Sequence, residues 1–362
     1  MKVFMAGGQG IEKPDLDLLG EFMENRLLSY HYFTKSQADF YFSNKHIFKN
    51  ILMDSGAFSA WSKGMEIDVD EYVTFCQEHE ENLEHIVNLD VIPASPGQKH
   101  ITKKMANTAA RKGFRNFKKM RKALPPDKVV HVFHQNDDWK WLKKMMHLSD
   151  YIGLSPANDR TTPEKIKWLD DCMEYVTDEK GKPLIKFHGF AVTSLKLMGR
   201  YPWYSVDSAT WTILSGFGKI MMPTWRNGKW DYSDDFCVCI SPKTWSPDHY
   251  QNLTKIRQKM FEQYIEELGI KWGKSRFEQM PEDYSLVKHP DLIKVSPFLI
   301  QPLGLGEPDK GMKWVEVVEE RGITNWGAYK RFLNARFYTE FARRHSSKRF
   351  NPHNKTLKGM LL

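Results

Sequence analysis

The sequence predicts a (β/α)8 barrel carrying a β-hairpin and a basic helical C-terminal extension. Eight short β-branched or aromatic runs, amphipathic segments between them, and polar residues, acids above all, at the ends of the runs carry that expectation. The runs fall at 3–6, 27–32, 50–54, 85–90, 129–134, 151–155, 184–190 and 203–207. Helical patterns occupy 15–26, 70–82, 103–123, 137–147, 162–176 and 194–200. Alternation of this kind reads as parallel strands joined by crossovers, and a count of eight favours closure over an open sheet.

After Asp207 the pattern changes. Segments 219–223 and 236–240 flank Asn227-Gly228, a hairpin signal, and a helix is expected over 247–268. The hairpin, 216–245, reads as an insertion before the last barrel helix. Segment 275–310 is rich in Pro and Gly and reads as irregular, followed by 312–320 and a basic helix over 325–345. The expected division is therefore a catalytic barrel, 1–273, and an extension, 274–362, whose tail from about residue 348 is loosely ordered.

Hydrophobic residues at 41% and aromatics at 13% exclude disorder as the main state. No stretch approaches the roughly 18 apolar residues of a bilayer span, and the apolar run 3–8 is too short for a secretory signal. Four cysteines, Cys76, Cys172, Cys237 and Cys239, make no disulfide framework in a chain of 362 residues. The expectation is a reducing, cytoplasmic setting, the host cytoplasm if the protein is viral.

Basic residues concentrate in two places along the chain. Residues 330–362 hold nine Lys or Arg against Glu340 alone, and the remainder of the chain balances to zero. Within that remainder, 99–128 holds eleven basic residues against Asp127. Such blocks neutralise phosphates and attract polyanions, which makes nucleic acid the natural partner, although a Lys-rich helix face is also common solvated surface. The residues expected to meet it are Lys103, Lys104, Arg111, Arg115, Arg336, Arg343 and Arg344. Trp326, Tyr329, Phe332, Phe337, Tyr338 and Phe341 have the spacing of a buried helix face rather than of a stacking platform, with those last three arginines facing outward.

Barrel sites assemble at the C-terminal ends of strands. There the sequence places Asp54, Asp90, His134 with Gln135, Gly153-Leu154, His188-Gly189 and Asp207. Any one of these has an ordinary explanation: an Asp after a strand begins a turn or caps a helix, and a lone His is commonly a core residue. Convergence is what points to a site, because crowded carboxylates cost stability through repulsion and desolvation. Paired carboxylates at a barrel mouth suit chemistry at an anomeric carbon, one attacking while the other handles protons.

Asp54-Ser55-Gly56-Ala57-Phe58 resembles the D-S-G-G-F motif of tRNA-guanine transglycosylases; Asp90 followed by Pro93 resembles their base-reading motif, Gly153-Leu154 their Gly-Leu loop, and Asp207 falls where they carry the nucleophile. The resemblance covers residues 50–210. It implies Asp207 as nucleophile on C1′ and Asp54 as general base, with Ser55 alongside. It further implies Asp90 on the guanine-like edge, the Gly153-Leu154 backbone and His134 or Gln135 on the carbonyl oxygen, and Phe58 with His188 sandwiching the ring.

Departures from the family's pattern change the expected polymer. Those enzymes carry a zinc site and a Thr-Arg pair after the nucleophile; here Cys237-Val238-Cys239 is followed by Pro242, with His249 nearby, and residues 208–212 read SATWT. Four ligands are not assembled, so the cysteines read as packed thiols, with no metal and no cofactor. The motifs VNLDVIP, FHGFAVTS and RYPWYSVDSATW most resemble the divergent branch in phages and bacterial genomic islands that inserts 7-deazaguanines into DNA. The expected partners are DNA and a free base such as preQ0 or preQ1, and, since related barrels often pair, a second copy of the chain in a homodimer. The alternatives are a tRNA transglycosylase, a glycoside or N-glycoside hydrolase using the same acids, and a nucleic-acid-binding protein on an inactive barrel.

Overall fold

A computed structural model describes residues 1–8, 13–94, 101–192, 194–242, 244–284, 292–295, 300, 303–305 and 313–351. By contacts the chain divides into two compact units, Met1–Glu12 with Gly20–Thr210 and Tyr338–Leu362, and Lys13–Leu19 with Trp211–Phe337. The boundary expected at residue 273 lies inside the second.

The first unit is a (β/α)8 barrel. Strands β1 (Lys2–Met5), β2 (Asn25–Ser29), β3 (Asn50–Asp54), β4 (His85–Val87), β5 (Val129–His134), β6 (Tyr151–Ser155), β7 (Lys186–Gly189) and β8 (Ser205–Ser208) close in sequence order. All neighbours are parallel, and β8 returns to β1 with Phe4 beside Asp207. Helices of this unit include α2 (Lys35–Ser43), α3 (Ala57–Ser62), α4 (Val69–Glu78), α5 (Lys103–Ala123), α6 (Trp139–Leu148), α7 (Thr162–Val176) and α8 (Leu195–Arg200); α1 (Lys13–Leu19) belongs to the second unit.

Strands β3, β5 and β6 and helices α5 and α7 occupy the expected residues, because each is bounded by a cap or a turn; Thr102 and Thr161, for instance, cap the two helices. Other boundaries differ. The helix expected over 15–26 is only α1 followed by a 3-10 turn at Gly20–Met23, and Arg26 lies in β2. Tyr30–Tyr32, expected as strand, wind into a second 3-10 turn. The fourth strand stops at Val87, so Asp90 stands on the loop beyond it.

Period-two alternation organises the barrel interior. Phe4, Leu27, Leu52, Val87 and Val132 face inward as one buried cluster. Two residues further along β3 and β5, the same face presents Asp54 and His134. Arg26 is fully buried as the neighbour of Leu27, and its guanidinium donates to the carbonyls of Met5 and Gly7 and to the Tyr41 hydroxyl at 3.2 Å.

In the second unit, β9 (Lys219–Arg226) and β10 (Lys229–Cys239) form the expected hairpin. Asn227 and Gly228 both take positive φ, 49° and 75°, as a primed two-residue turn requires. A short helix that periodicity does not announce, α9 (Thr210–Gly216), precedes the hairpin. The helix expected over 247–268 is a 3-10 turn at Tyr250–Asn252 and then α10 (Lys255–Glu267), because the Thr254 hydroxyl caps at the N–H of Arg257. Segment 275–310, expected as irregular, holds strand residues: β11 (Lys274–Gln279) and β12 (Leu292–Lys294) pair antiparallel with β13 (Trp314–Glu320). Strand β11 is largely exposed and rich in charge and β12 is only three residues long, so neither has the apolar run that announces a strand.

The last helix, α11 (Gly327–His345), buries part of the expected aromatic side: Phe337, Tyr338 and Phe341 are buried together with Leu333, whereas Trp326, Tyr329 and Phe332 are half-buried. It also buries Asn334, whose amide donates to the Trp211 and Lys219 carbonyls and to Ser215, while its carbonyl accepts from the Met221 N–H at 2.7 Å. The tail is described only to Asn351, so most of the expected loose segment, with Lys355 and Lys358, lies outside the described residues, as does Lys99. Among the described residues no helix is long and apolar enough to cross a membrane.

Candidate active site at the barrel mouth

Asp54 ends β3 and accepts the Gly56 N–H at 3.0 Å on Oδ2, closing the turn into α3. Gly56 sits at φ 76°, and a Cβ there would lie 2.5 Å from His31 Cβ and 2.6 Å from Ser29 Oγ. The residue types of Asp54-Ser55-Gly56 thus follow from local geometry. Gly56→Ala is expected to cost about 2 kcal/mol or more, from the left-handed backbone plus the clash, read as a fall in the denaturation midpoint.

Burial raises the Asp54 carboxyl, the negative charges of Asp90 and Asp207 raise it further, and the N–H groups of Gly56 and Ser55 only partly offset them, leaving it at about 7. The three acids, far apart in sequence, therefore share one electrostatic environment. Asp90 accepts from His134 Nε2 at 2.7 Å, and His134 Nδ1 stands 3.5 Å from Asp137. Burial works against the imidazolium, but the hydrogen bonds and charges of Asp137 and Asp90 outweigh it and lift His134 to about 10. Burial likewise opposes ionisation of Asp90, yet the His134 hydrogen bond and charge hold its carboxyl below the ordinary value. Near neutral pH the mouth presents an anion–cation pair beside an acid poised to gain or lose a proton.

Asp207, on β8, is 8% exposed. Its Oδ1 takes both the His188 Nε2 contact at 3.2 Å and the Ala191 N–H at 2.8 Å. Ala191 holds φ 51°, an uncommon backbone for a side-chain-bearing residue, and that conformation accompanies an N–H aimed at the carboxylate.

Several other expected site residues occupy different surroundings. His188 is fully buried, with Phe4 and Phe190 rings edge-on to it, and it supports Asp207 instead of offering a stacking face. Gly153 and Leu154 lie within β6, buried and in register with β5 and β7, not in a loop. Gly153 is needed there because the Phe190 ring fills the place of a side chain, 2.3 Å from where a Cβ would stand. Ser55 is fully buried and accepts the Ala57 N–H at 3.4 Å. Gln135 accepts the Ala157 N–H through Oε1 at 2.9 Å, tying the loop after β6. Phe58 is 57% exposed beside Trp61, so its ring is available for stacking.

Lys103, Lys104, Arg111 and Arg115 are exposed on α5. Lys104 and Lys112 flank a groove of about 280 Å³ floored by Val91, Ile92 and Pro93, the residues directly after Asp90. Of the three arginines expected to face outward on α11, Arg336 does not: it is half-buried and hydrogen-bonds the hydroxyls of Tyr232 and Tyr264. Arg343 and Arg344 are exposed but both pair with Glu340, at 2.9 and 2.6 Å. Cys239 is buried, and burial pushes Cys237 up to about 12. Both ring nitrogens of His249 are engaged, Nε2 with the Ser241 carbonyl and Nδ1 with the Gln251 N–H. Among the described residues no three His, Cys, Asp or Glu are grouped to hold a metal.

Asp137, Tyr151 and Ser205 join the site without having been expected. Only Asp137, three residues beyond His134, left a local signal; the other two become neighbours through barrel closure. The fold and mouth define a (β/α)8 barrel with a carboxylate-rich centre. No protein-family model and no curated protein matches the chain.

Proposed function

We propose that this protein replaces guanine in DNA by a free 7-deazaguanine through a covalent Asp207–glycosyl intermediate. The observation that supports this most is the shared environment of Asp54, Asp90 and Asp207 at one barrel mouth. Both supporting contacts on Asp207 fall on Oδ1, leaving Oδ2 for attack on C1′. In the first half, the C1′–N9 bond of guanine breaks as C1′–Oδ2 forms, and protonated Asp54 supplies the departing base with its proton. In the second, the incoming 7-deazaguanine gives its N9 proton to Asp54, C1′–N9 forms, and Asp207 leaves as a carboxylate.

A carboxylate near 7 suits both duties at neutral pH. Asp90, an acceptor held in place by His134, matches the N1–H and 2-amino donors of the base. Gln135, with Oε1 engaged, keeps its amide N–H groups for the carbonyl oxygen. Phe58 supplies an exposed ring for stacking. The cations of α5 suit a flipped strand's phosphates, with a tRNA as the rival polymer.

The test uses purified protein, DNA or tRNA labelled in guanine, and candidate deazaguanines. Release of label that requires the incoming base supports exchange; release without it indicates hydrolysis by the same acids. Release from tRNA but not DNA would transfer the reading to the other polymer.

Asp54 also makes a pH prediction. Its folded value lies above the unfolded one, so the fold binds the extra proton between about pH 4 and 7, and its contribution to stability declines as pH rises through that window. Asp54→Asn keeps an acceptor for Gly56 and removes the repulsion. It is therefore expected to raise the melting temperature more at pH 8 than at pH 5, while lowering exchange by at least 10²-fold.

A further inference from the structure

Beneath Asp207 a line of buried side chains crosses the barrel interior. Tyr151 Oη lies 2.6 Å from Ser205 Oγ, Ser205 Oγ lies 2.7 Å from His188 Nδ1, and His188 Nε2 lies 3.2 Å from Asp207 Oδ1. All three supporting residues are almost wholly enclosed, Tyr151 at 2% exposure and the other two at zero. Strand register creates the line: Ser205 sits beside His188 across β7 and β8, and period-two alternation puts Ser205 on the same face as Asp207.

The chemistry of the ends fixes its direction. A carboxylate can only accept, so His188 Nε2 donates to Asp207. In a neutral imidazole Nδ1 is then the acceptor, so the Ser205 hydroxyl donates to it, and the Tyr151 hydroxyl donates to Ser205. Tyr151 can fill that role because burial holds its phenol protonated, with the ring of His85 packed edge-on at 4.7 Å.

We propose that Tyr151, Ser205 and His188 are positioning residues forming a one-way donor chain, which locks His188 as its Nε2–H tautomer and presents Asp207 with Oδ1 occupied and Oδ2 free to react. The use made of Oδ2 rests on the function proposed above; the tautomer does not. In the exchange reaction the chain also stabilises Asp207 as the departing carboxylate of the second half, because the charge that returns when C1′–Oδ2 breaks is shared with Oδ1, which meets a preset donor.

Two measurements on the full chain test this. Two-bond ¹H–¹⁵N correlation of histidine-labelled protein, with His188 assigned through His188→Gln, should show the Nε2–H tautomer, and Ser205→Ala should turn that signal into a mixture. An imidazolium or an Nδ1–H tautomer in the unsubstituted protein overturns the proposal. In the exchange assay, Ser205→Ala should lower kcat between about 10- and 100-fold with KM little changed and with more trapped covalent adduct, and Ser205→Thr, which keeps the hydroxyl, should recover most of the loss. Tyr151→Phe removes one oxygen and should give a smaller loss of the same kind, covering the case in which a Ser205 variant does not fold. Wild-type kcat in both Ser205→Ala and Tyr151→Phe overturns the proposal. Absence of exchange by the unsubstituted protein, with the Nε2–H tautomer present, sinks the function and leaves the chain standing.

Discussion

Asp207→Asn is expected to lower base exchange by about 10⁴-fold and to abolish trapping of a protein-linked nucleic acid. The substitution is close to isosteric, and its amide oxygen can still accept from His188 and from the Ala191 N–H, so the β8 end should keep its shape. What is lost is the nucleophilic oxygen. Label release measured together with a denaturing-gel assay for the adduct separates this from a folding defect, as does an unchanged melting temperature. Turnover near the wild-type rate by this variant would remove Asp207 from the mechanism, and the proposed reaction with it.

Arg26→Met is expected to give the largest loss of stability of any single change considered for the barrel, about 3–5 kcal/mol. The guanidinium is fully buried and ties the carbonyls of Met5 and Gly7 to the Tyr41 hydroxyl. Methionine fills much of the volume but leaves the Met5 carbonyl without this donor in a buried setting. Arg26→Lys should recover only part of the loss, since one ammonium cannot reproduce the forked geometry. Thermal melts should show a downward shift on the order of 10 °C for Arg26→Met. A shift within about 1 °C would mean that water or another donor replaces the arginine.

Much of the barrel was readable because strand and helix periods differ and their ends carry caps and turns. Strands at 50–54, 129–134 and 151–155 needed nothing more than their apolar runs and flanking polar residues. The three carboxylates were readable for the same reason, each standing at or just beyond a strand end. Arg26 was misplaced because a basic residue after an amphipathic stretch looks like a helix terminus, and only its burial against two carbonyls shows otherwise. Arg336 was misplaced for a related reason: helical spacing does not show that a tyrosine pair, Tyr232 and Tyr264, lies within reach of its guanidinium. The strand at 274–279 escaped because exposed, charged β-structure has no hydrophobic signature, and that at 292–294 because three residues are too few to show a period.

Composition and periodicity alone establish the eight alternating units, the acids at the strand ends and the two cationic stretches, since each depends on residues near one another along the chain. Closure of the barrel decides the rest. It sets Asp54 near 7 by burying its carboxyl beside the charges of Asp90, on the loop after β4, and Asp207, on β8, turns Gly153 into space for Phe190, and brings Tyr151 within hydrogen-bonding distance of a serine 54 residues away. Proton affinity and hydrogen-bond direction depend on through-space distance and on the exclusion of water, and neither exists until distant strands meet.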